Sequence, residues 1–519
     1  MSRTLRAASS ISALTLVSRV LGLVRDVIMF RMLGASWVTG TFILAWMFPN
    51  MLRRLMGEGA LSAAFIPAFV SSREREGPAA AKRLLSSVSG TLLLALSTLT
   101  VIVLVLCAVL PPELVGSPDN RVTATESGAM LLRFSAILFP YAILICLAAI
   151  YNGALNSLSI FAIPAAVPAI LNVVWIAALL LGIRVFGEDK VAIFTFLAGS
   201  LLLAGTLQFA GPAAVLQAKG YLARPRLPRP GDPARRVFVT MAPTALAMSM
   251  LQLNTLVDQG IAYFVIAPEA ISHVYNANRL ISFPFALTSL ALATAVFPRF
   301  AELASREKLS VLEEKVGGAQ RLTLFSSVPA SLGLILIAHD FIELFYGSDK
   351  FGSSDVALSA QATACLVVGL PFLSAAQLYS RALFALGNTR APAMIAATLV
   401  PTNLILNLIF VLALGLGVAG LTLATAACAA LDMLLLRHCF HRQCEAKPMR
   451  QRMPLVRVAA ASAAMGLMVW WARGWFAVDS KLEIALFRLA LPIGLGMLSY
   501  GAFHWLTGGH ELRRLLRRR

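Results

Sequence analysis

The sequence predicts an all-α polytopic membrane protein with about fourteen transmembrane helices. Of its 519 residues 58% are hydrophobic and only 13% are charged, too few charges to cover the surface of a water-soluble protein of this length. Apolar stretches of about 20 residues, the length that crosses roughly 30 Å of hydrocarbon, recur from one end of the chain to the other. The polar gaps between these stretches are too short to hold a separate folded domain.

The predicted spans follow the apolar segments in order along the chain. The first segment contains Arg19 and Arg25 and lacks a small-residue cleavage site, so we interpret it as a span and not as a signal peptide. The six cysteines mostly fall inside spans and form no disulfide framework. The fourteen segments are 11–33, 37–71, 84–110, 127–152, 160–182, 191–217, 237–266, 273–300, 320–346, 355–384, 391–413, 417–437, 455–476 and 484–507.

The loop charges predict the orientation. An even number of spans places both termini on one side, and that side holds 30 of the 44 Lys and Arg residues, against six in the opposite loops. By the positive-inside rule both termini are cytoplasmic in an inner membrane. The net charge of +19 then reflects topology and attraction to anionic phospholipids. We expect no nucleic-acid partner, because the basic residues are scattered over short loops.

A weak internal repeat predicts two lobes. Internal repeats of this kind are typical of transporters with a central site between two halves, although chance similarity between apolar segments is the alternative. We predict a six-helix N-lobe (1–220), a six-helix C-lobe (221–450) around a central cavity, and two C-terminal helices with a basic tail (451–519). The repeat relates positions 231 residues and six spans apart: Ala154, Leu155 and Asn172 recur as Ala385, Leu386 and Asn403.

Charged residues inside the predicted spans mark the candidate functional site. Even on the lowest scale one such group at mid-bilayer costs about 2.5–3.5 kcal/mol, so it must face a wet cavity or a partner. Arg19 and Arg25 lie on the first span, Arg53 follows Pro49 on the second, and Arg279 lies on the eighth. Because guanidinium groups bind phosphate oxygens in bidentate fashion, the sequence predicts a cationic cavity for an anionic, phosphate-bearing substrate.

Two pairs of these charges have a structural alternative. Arg25 is followed directly by Asp26, and Arg54 precedes Glu58 at the i,i+4 spacing of one helix face. Each pair could be a structural ion pair instead of a contact with substrate.

The sequence is compatible with two energy sources for transport, the membrane potential and a coupling cation. No phosphate-binding Walker loop is present, so ATP hydrolysis is not expected, and no nucleophile–base arrangement points to an enzyme. An anion leaving an inside-negative cell gains about 2.3 kcal/mol per charge per 100 mV. Oxygen-bearing side chains that suit Na⁺, with helix–helix hydrogen bonds as the alternative role, are Asp258, Asn403, Asn407 and Thr425.

Several motifs together resemble the MurJ (MviN) family of lipid II flippases. The resemblance runs from about residue 9 to about residue 430, and it is the combination of motifs that is specific. The main motifs are SRVLGLVRD at 18–26, FPNMLRRL at 48–55, NANRL at 276–280 and ALGNTRAP at 385–392.

The resemblance implies a fold, a function and a set of site residues. The fold is that of the multidrug/oligosaccharidyl-lipid/polysaccharide exporter superfamily. The function is export of lipid II, the undecaprenyl-diphosphate-linked peptidoglycan precursor, across the bacterial inner membrane by alternating access, and we expect a monomer. Arg19, Arg25, Arg53 and Arg279 match the family's substrate-binding arginines, Ser18 and Ser272 its polar cavity positions, and Glu58 the acidic residue of its second-helix motif.

Two positions depart from the family pattern, and two other functions stay open. Many members carry an acidic residue where this chain has Gly40, and some carry a lysine where it has Met47. One alternative is a cation-coupled multidrug or other lipid-linked oligosaccharide exporter of the same superfamily, which predicts a cavity governed by carboxylates and aromatic residues. The other is a non-transporting scaffold, which predicts that the cavity arginines can be replaced without effect.

Overall fold

The computed structural model describes residues 3–57, 60–117, 122–222, 224–229, 232–444, 452–475 and 480–507. Side chains are described from residue 14 onward within these ranges, except at 57, 60–63, 242–251 and 452–455. Throughout the described ranges the regular structure is helical, with four short π-helical turns and no β-strand. The prediction of an all-α protein is therefore confirmed.

The chain divides into two compact units, Met1–Ile271 and Ser272–Arg519. The first nine helices of the N-terminal unit are α1 (Arg3–Leu33), α2 (Trp37–Gly57), α3 (Ala60–Glu76), α4 (Pro78–Val109), α5 (Pro112–Val115), α6 (Ala124–Leu138), α7 (Tyr141–Ser157), α8 (Ala162–Phe186) and α9 (Lys190–Ala218). Its last helix, α10 (Pro233–Ile261), continues into a π-helical turn over Ala262–Ile266.

Among its described residues the C-terminal unit contains ten helices, the first of which begins at the unit boundary. They are α11 (Ala270–Phe285), α12 (Ala291–Ser305), α13 (Leu309–Tyr346), α14 (Ser353–Val367), α15 (Leu370–Ala385), α16 (Arg390–Leu408), α17 (Gly417–Gln443), α18 (Arg452–Arg473), α19 (Lys481–Glu483) and α20 (Leu491–Leu506). Further π-helical turns lie at Ala286–Leu290, Ile409–Ala413 and Ile484–Ala490.

Each of the fourteen predicted segments overlaps at least one of these helices. Nine helices within the described residues are long and apolar enough to cross a membrane. A tenth is counted if α14 and α15, which meet at a bend of 41°, form one broken span. The chain is therefore a multi-pass membrane protein, and the number of fourteen spans stays a prediction.

The unit boundary and the predicted lobe boundary rest on different criteria. Helix α10 packs against α2, α3 and α4, so by packing it belongs with the N-terminal helices. The repeat, which compares sequence positions, divides the chain at residue 220. The repeat-based division into 1–220, 221–450 and 451–519 stays a prediction.

The two ends of helix α4 differ in the residues that they bury and expose. Small residues such as Ser86, Ser87 and Gly90 are buried near its beginning, where they allow close approach of other backbone. Towards its other end large apolar side chains such as Val101 and Val105 are exposed. In a membrane that apolar surface contacts lipid. The helical backbone can lie in the hydrocarbon region because its hydrogen bonds are made within the helix.

Aromatic side chains fill the core of the N-terminal unit. Phe42 of α2 contacts Phe134 of α6, Trp175 of α8 and Phe194 of α9, with ring centroids 4.8–5.7 Å apart. Four helices thus meet around one buried ring. This packing fixes the face of α8 that carries Trp175, which contacts Arg25 in the candidate site.

A separate core holds the last helices onto the C-terminal unit. Phe325 of α13, Val469 of α18 and Tyr500 of α20 belong to one buried cluster, and the Tyr500 hydroxyl donates a hydrogen bond to the Phe325 carbonyl over 2.7 Å. Arg473 at the end of α18 forms an ion pair with Asp340 of α13 over 2.5 Å.

Candidate functional site

Arg25 is the most constrained charged residue of the N-terminal unit. Its Nη2 lies 2.7 Å from Oδ1 of Asp26, a side chain that is completely buried. Its Nη1 donates to Oδ1 of Asn172 on α8 over 3.2 Å, and its Cζ lies 4.5 Å from the centroid of the Trp175 ring. The guanidinium is therefore held by an ion pair, an amide and a cation–π contact at once.

Asn172 connects α8 to two points of α1. Its Oδ1 accepts the hydrogen bond from Arg25, and its Nδ2 donates to the Ser18 carbonyl over 2.9 Å. Ser18 and Arg25 are seven residues apart, about two helical turns, so they lie on the same face of α1. The amide thus fixes α1 against α8 at the level of the predicted substrate site.

Arg53 lies on α2 beyond Pro49, as predicted. Its Nε donates to Oδ1 of Asn50 over 3.0 Å, which directs the guanidinium back along its own helix. Asn50 is neutral, so this contact leaves the charge of Arg53 intact. The side chain is half-buried.

A buried layer of aromatic and amide groups lies close to both arginines. The Tyr141 ring lies 5.0 Å from that of Trp46 on α2, and the Trp46 ring lies 5.3 Å from the Trp175 ring that Arg25 covers. Arg53 follows Trp46 by seven residues, about two turns, so it lies on the same face of α2. The Tyr141 hydroxyl donates to Oε1 of Gln208 over 2.8 Å, and Gln208 Nε2 donates to the Val167 carbonyl. A low-dielectric layer of this kind strengthens the field of the charges beside it.

Arg19 points away from this group. Arg19 and Arg25 are six residues apart on α1, which at 100° per residue places them about 120° apart around the axis and about 9 Å apart along it. Arg19 is exposed, and within the described part of the chain it makes no hydrogen bond or ion pair. Arg19 therefore lies apart from Asp26, Asn172 and Trp175, the residues that contact Arg25.

The second predicted ion pair lies partly outside the described residues. Arg54 is exposed near the end of α2, whereas Glu58 is not among the residues that the structure describes. The pairing of Arg54 with Glu58 stays a prediction. By contrast, the structure contains the Arg25–Asp26 pair that the sequence offered as a structural alternative.

Gly40 has a steric explanation. A Cβ atom at this position would lie 1.8 Å from the Pro268 carbonyl oxygen and 2.6 Å from its carbon, both backbone atoms that cannot move aside cheaply. The same region is tied to α2 by a 3.3 Å hydrogen bond between the hydroxyls of Thr41 and Tyr263. An acidic side chain at position 40 does not fit this backbone. Met47, the other departure, is half-buried about two turns later on the same face of α2.

The candidate residues of the C-terminal unit lie on α11. Ser272 is completely buried, and its hydroxyl makes no hydrogen bond to the described residues. Arg279 is half-buried two turns later. The roles of Ser18, Ser272 and the four arginines in substrate binding stay predictions.

The predicted cation ligands divide between the two units. Asp258 is buried on α10 of the N-terminal unit. Asn403 and Asn407 are completely buried one turn apart on α16, which packs against α17, where Thr425 lies. The Thr425 hydroxyl donates to the Leu421 carbonyl over 3.2 Å.

The sequence does not mark Trp175 or Tyr141 as site residues. Both lie in apolar stretches, where an aromatic residue is expected to be part of the core, and no local spacing links them to Arg25. In the sequence Asn172 stands out only as a repeat position. An amide side chain on a predicted span does indicate a hydrogen bond to a neighbouring helix, because such a group needs a partner across a helix interface.

Comparison with known proteins relates the chain to one family. The family model described as Lipid II flippase MurJ matches residues 29–489. The chain is also 30% identical over 527 residues to Lipid II flippase MurJ of Burkholderia cenocepacia, an alignment that covers 97% of each protein. The similarity includes α2 and α11, which carry Arg53 and Arg279.

Solved structures share the fold. That of Lipid II flippase MurJ in an inward closed conformation matches with a TM-score of 0.78 at 24% identity, covering 98% of this chain and 99% of that chain. A multidrug resistance MATE family transporter of the MOP superfamily, in an inward-facing conformation, matches with a TM-score of 0.67 at 14% identity, covering 84% and 98%. The fold predicted from the motifs is confirmed.

Proposed function

The chain belongs to the lipid II flippase MurJ family, and from that premise we propose that it moves lipid II from the cytoplasmic to the periplasmic leaflet for cell-wall synthesis. It acts as a transporter and not as an enzyme. The observation that carries the proposal is the Arg25 guanidinium over the Trp175 ring, with Arg53 on the face of α2 whose Trp46 contacts the same ring. Lipid II bears a diphosphate, the group that two such side chains recognise.

The three N-terminal arginines differ in what they can offer this diphosphate. Arg25 is already neutralised by Asp26, so it contributes an oriented donor edge more than net charge. Arg53 donates to the neutral Asn50 amide, and Arg19 is exposed on another face of α1. We infer that Arg19 attracts the diphosphate, that Arg53 binds it and that Arg25, held by its partners, sets its orientation.

We further propose an inner-membrane location with both termini in the cytoplasm. The concentration of 30 Lys and Arg residues on one side supports this orientation. The same basic loops favour contact with anionic phospholipids on the cytoplasmic surface. We propose that the chain acts as a monomer.

For energy coupling we propose the membrane potential, with Na⁺ as a second driving ion. Export of an anion is favoured by about 2.3 kcal/mol per charge per 100 mV. The buried oxygen-bearing side chains of Asn403 and Asn407 support a cation near α16 in the C-terminal unit. Their amide oxygens are ligands of the type that hard cations prefer.

Complementation tests the function. The chain is expressed in a bacterium depleted of its own lipid II flippase, beside Arg19→Ala, Arg53→Ala and Arg279→Ala variants with matched membrane levels. Arg75→Ala is the control, since Arg75 is exposed at the end of α3. We expect rescue by the parent and by Arg75→Ala, and loss of rescue in the other three. A well-expressed parent that does not rescue contradicts lipid II transport, and rescue by all variants contradicts only the arginine site.

A further inference from the structure

A polar cavity lies in the N-terminal unit, and its lining includes none of the residues proposed to bind lipid II. It is formed where the end of α3, the beginning of α4 and the segment before α10 meet, and its volume is about 260 Å³. These ends lie on the side that the loop charges predict to be cytoplasmic. The lining residues on which the argument depends are Ser72, Glu76, Arg83, Arg226, Arg229 and Asp232.

The wall of the cavity is built by close backbone contact. The Arg226 amide donates to the Ser86 carbonyl of α4 over 3.1 Å, and the Ser86 hydroxyl donates to the Arg224 carbonyl. Gly90 makes this approach possible, because a Cβ there would lie 2.1 Å from the Arg226 carbonyl oxygen. The segment is thus fixed to α4 along its backbone, and its side chains have defined positions.

Arg226 and Asp232 form an ion pair, so together they add no net charge to the cavity. Arg226 Nη2 lies 3.2 Å from Asp232 Oδ2, and Asp232 also accepts from the Ser87 hydroxyl and from the Ala234 amide at the beginning of α10. The Asp232 side chain is only 6% exposed. This carboxylate therefore acts as a helix cap and ion-pair partner, and it does not counter additional cations.

Two further guanidiniums line the cavity, those of Arg83 and Arg229, and both side chains are exposed. Neither guanidinium makes a hydrogen bond or ion pair to the described residues. Ser72 is 6% exposed, lines the cavity, and its hydroxyl likewise makes no hydrogen bond to the described residues. Glu76 is exposed and is the only acidic lining residue besides Asp232. Two exposed guanidiniums without an ion pair to the described residues and a nearly buried hydroxyl form a donor set for an anion.

We propose that this cavity binds a phosphate group at the cytoplasmic surface. Arg83 and Arg229 supply charge-assisted hydrogen bonds to the phosphate oxygens, and the Ser72 hydroxyl supplies a third donor. The volume admits a phosphate with a small attached group. The phosphate belongs either to an anionic phospholipid headgroup of the inner leaflet or to a free phosphate ion. The site is distinct from the residues proposed for lipid II and does not depend on transport.

Binding measurements on the full-length protein test the site. In nanodiscs of phosphatidylcholine, phosphatidylglycerol is titrated and the bound lipid is counted by native mass spectrometry. In detergent, sodium phosphate is titrated by calorimetry against sodium chloride of equal ionic strength. The pocket variant is Arg83→Gln/Arg229→Gln. The control variant is Arg75→Gln/Arg236→Gln, which removes two exposed charges from the same predicted face but not from the cavity.

We expect the pocket variant to bind at least about tenfold more weakly and the control variant to change less than about twofold. A Ser72→Ala variant loses one neutral donor, so a decrease of a few-fold is expected. Loss confined to phosphatidylglycerol assigns a lipid headgroup, and loss confined to sodium phosphate assigns the free ion. Equal losses in both double variants mean diffuse surface attraction and overturn the proposal. So does a parent that prefers neither phosphate probe over its control.

Discussion

The two repeat-related asparagines, Asn172 in the N-terminal unit and Asn403 in the C-terminal unit, are buried on helices in different surroundings. Asn172 links the Arg25 guanidinium to the Ser18 carbonyl, so it serves a charged group. Asn403 is completely buried beside Asn407, one turn later on α16. The same residue type therefore holds an arginine side chain in one unit and belongs to an amide-rich helix face in the other.

This difference suggests how the two units divide their tasks. The N-terminal unit holds the Arg25 guanidinium over the Trp175 ring, an arrangement that we propose suits a diphosphate. The C-terminal unit uses its ion pair between Arg473 and Asp340 to hold α18 against α13, near the end of both helices. Its buried amides on α16 suit a cation. The predictions below test this division in order of decreasing effect.

Removing Arg25 has the largest expected effect. In Arg25→Ala the buried Asp26 carboxylate loses its ion pair, and breaking such a pair costs about 3–5 kcal/mol. We expect low membrane levels and no rescue in complementation. The Arg25→Ala/Asp26→Ala variant removes both charges, so we expect it to recover much of the membrane level without recovering transport. Membrane levels are measured by immunoblot and transport by complementation.

The double variant separates the two roles of Arg25. If it restores transport as well as protein level, Arg25 is a structural partner of Asp26 and does not orient the substrate. If it restores neither, the Trp175 and Asn172 contacts of Arg25 carry more of the stability than the ion pair does.

The second prediction compares close backbone approaches in the two units. A Cβ at Gly40 would lie 1.8 Å from the Pro268 oxygen, whereas a Cβ at Gly369 would lie 2.9 Å from the Ala426 Cα. We expect Gly40→Ala to cost about 3 kcal/mol or more and Gly369→Ala about 1 kcal/mol, because only the first requires a large backbone shift. Gly199→Ala, with nothing within 4 Å, is the control. Thermal unfolding in detergent gives the ranking, and an equally small effect at Gly40 contradicts the steric explanation.

The sequence predicted some parts of this molecule and missed others for physical reasons. Apolar length placed the helices, since the bilayer sets the length of a span. The Arg25–Asp26 pair was visible because its members are adjacent. The contact between Arg25 and Asn172 joins residues 147 positions apart, so only the packing of α1 on α8 reveals it.

Gly40 and the cytoplasmic cavity show a second limit. In the sequence Gly40 is only a departure from a family motif, and its reason is a backbone oxygen of Pro268. The arginines of the cavity read as ordinary loop charges that set topology. What distinguishes Arg83 and Arg229 is the cavity they line and their lack of partners among the described residues, and neither property has a sequence signature.

The third prediction tests the comparison of the asparagines directly. Asn172→Ala removes the hydrogen bond from Arg25 and the one to the Ser18 carbonyl, a loss of about 2–3 kcal/mol, and leaves the Arg25–Asp26 pair in place. We expect stable protein and slower lipid II transport by the same factor at every Na⁺ concentration, because Arg25 loses its orientation. For Asn403→Ala we expect a higher Na⁺ concentration for half-maximal transport.

Both variants are measured in proteoliposomes by the accessibility of lipid II to a membrane-impermeant reagent, with Na⁺ replaced by K⁺ in steps. A parent whose transport ignores this replacement contradicts the Na⁺ prediction but not the role of Asn172. An Na⁺ shift in Asn172→Ala with none in Asn403→Ala reverses the assignment. The cation would then belong with the N-terminal polar cluster, and the two units would not divide the work by charge.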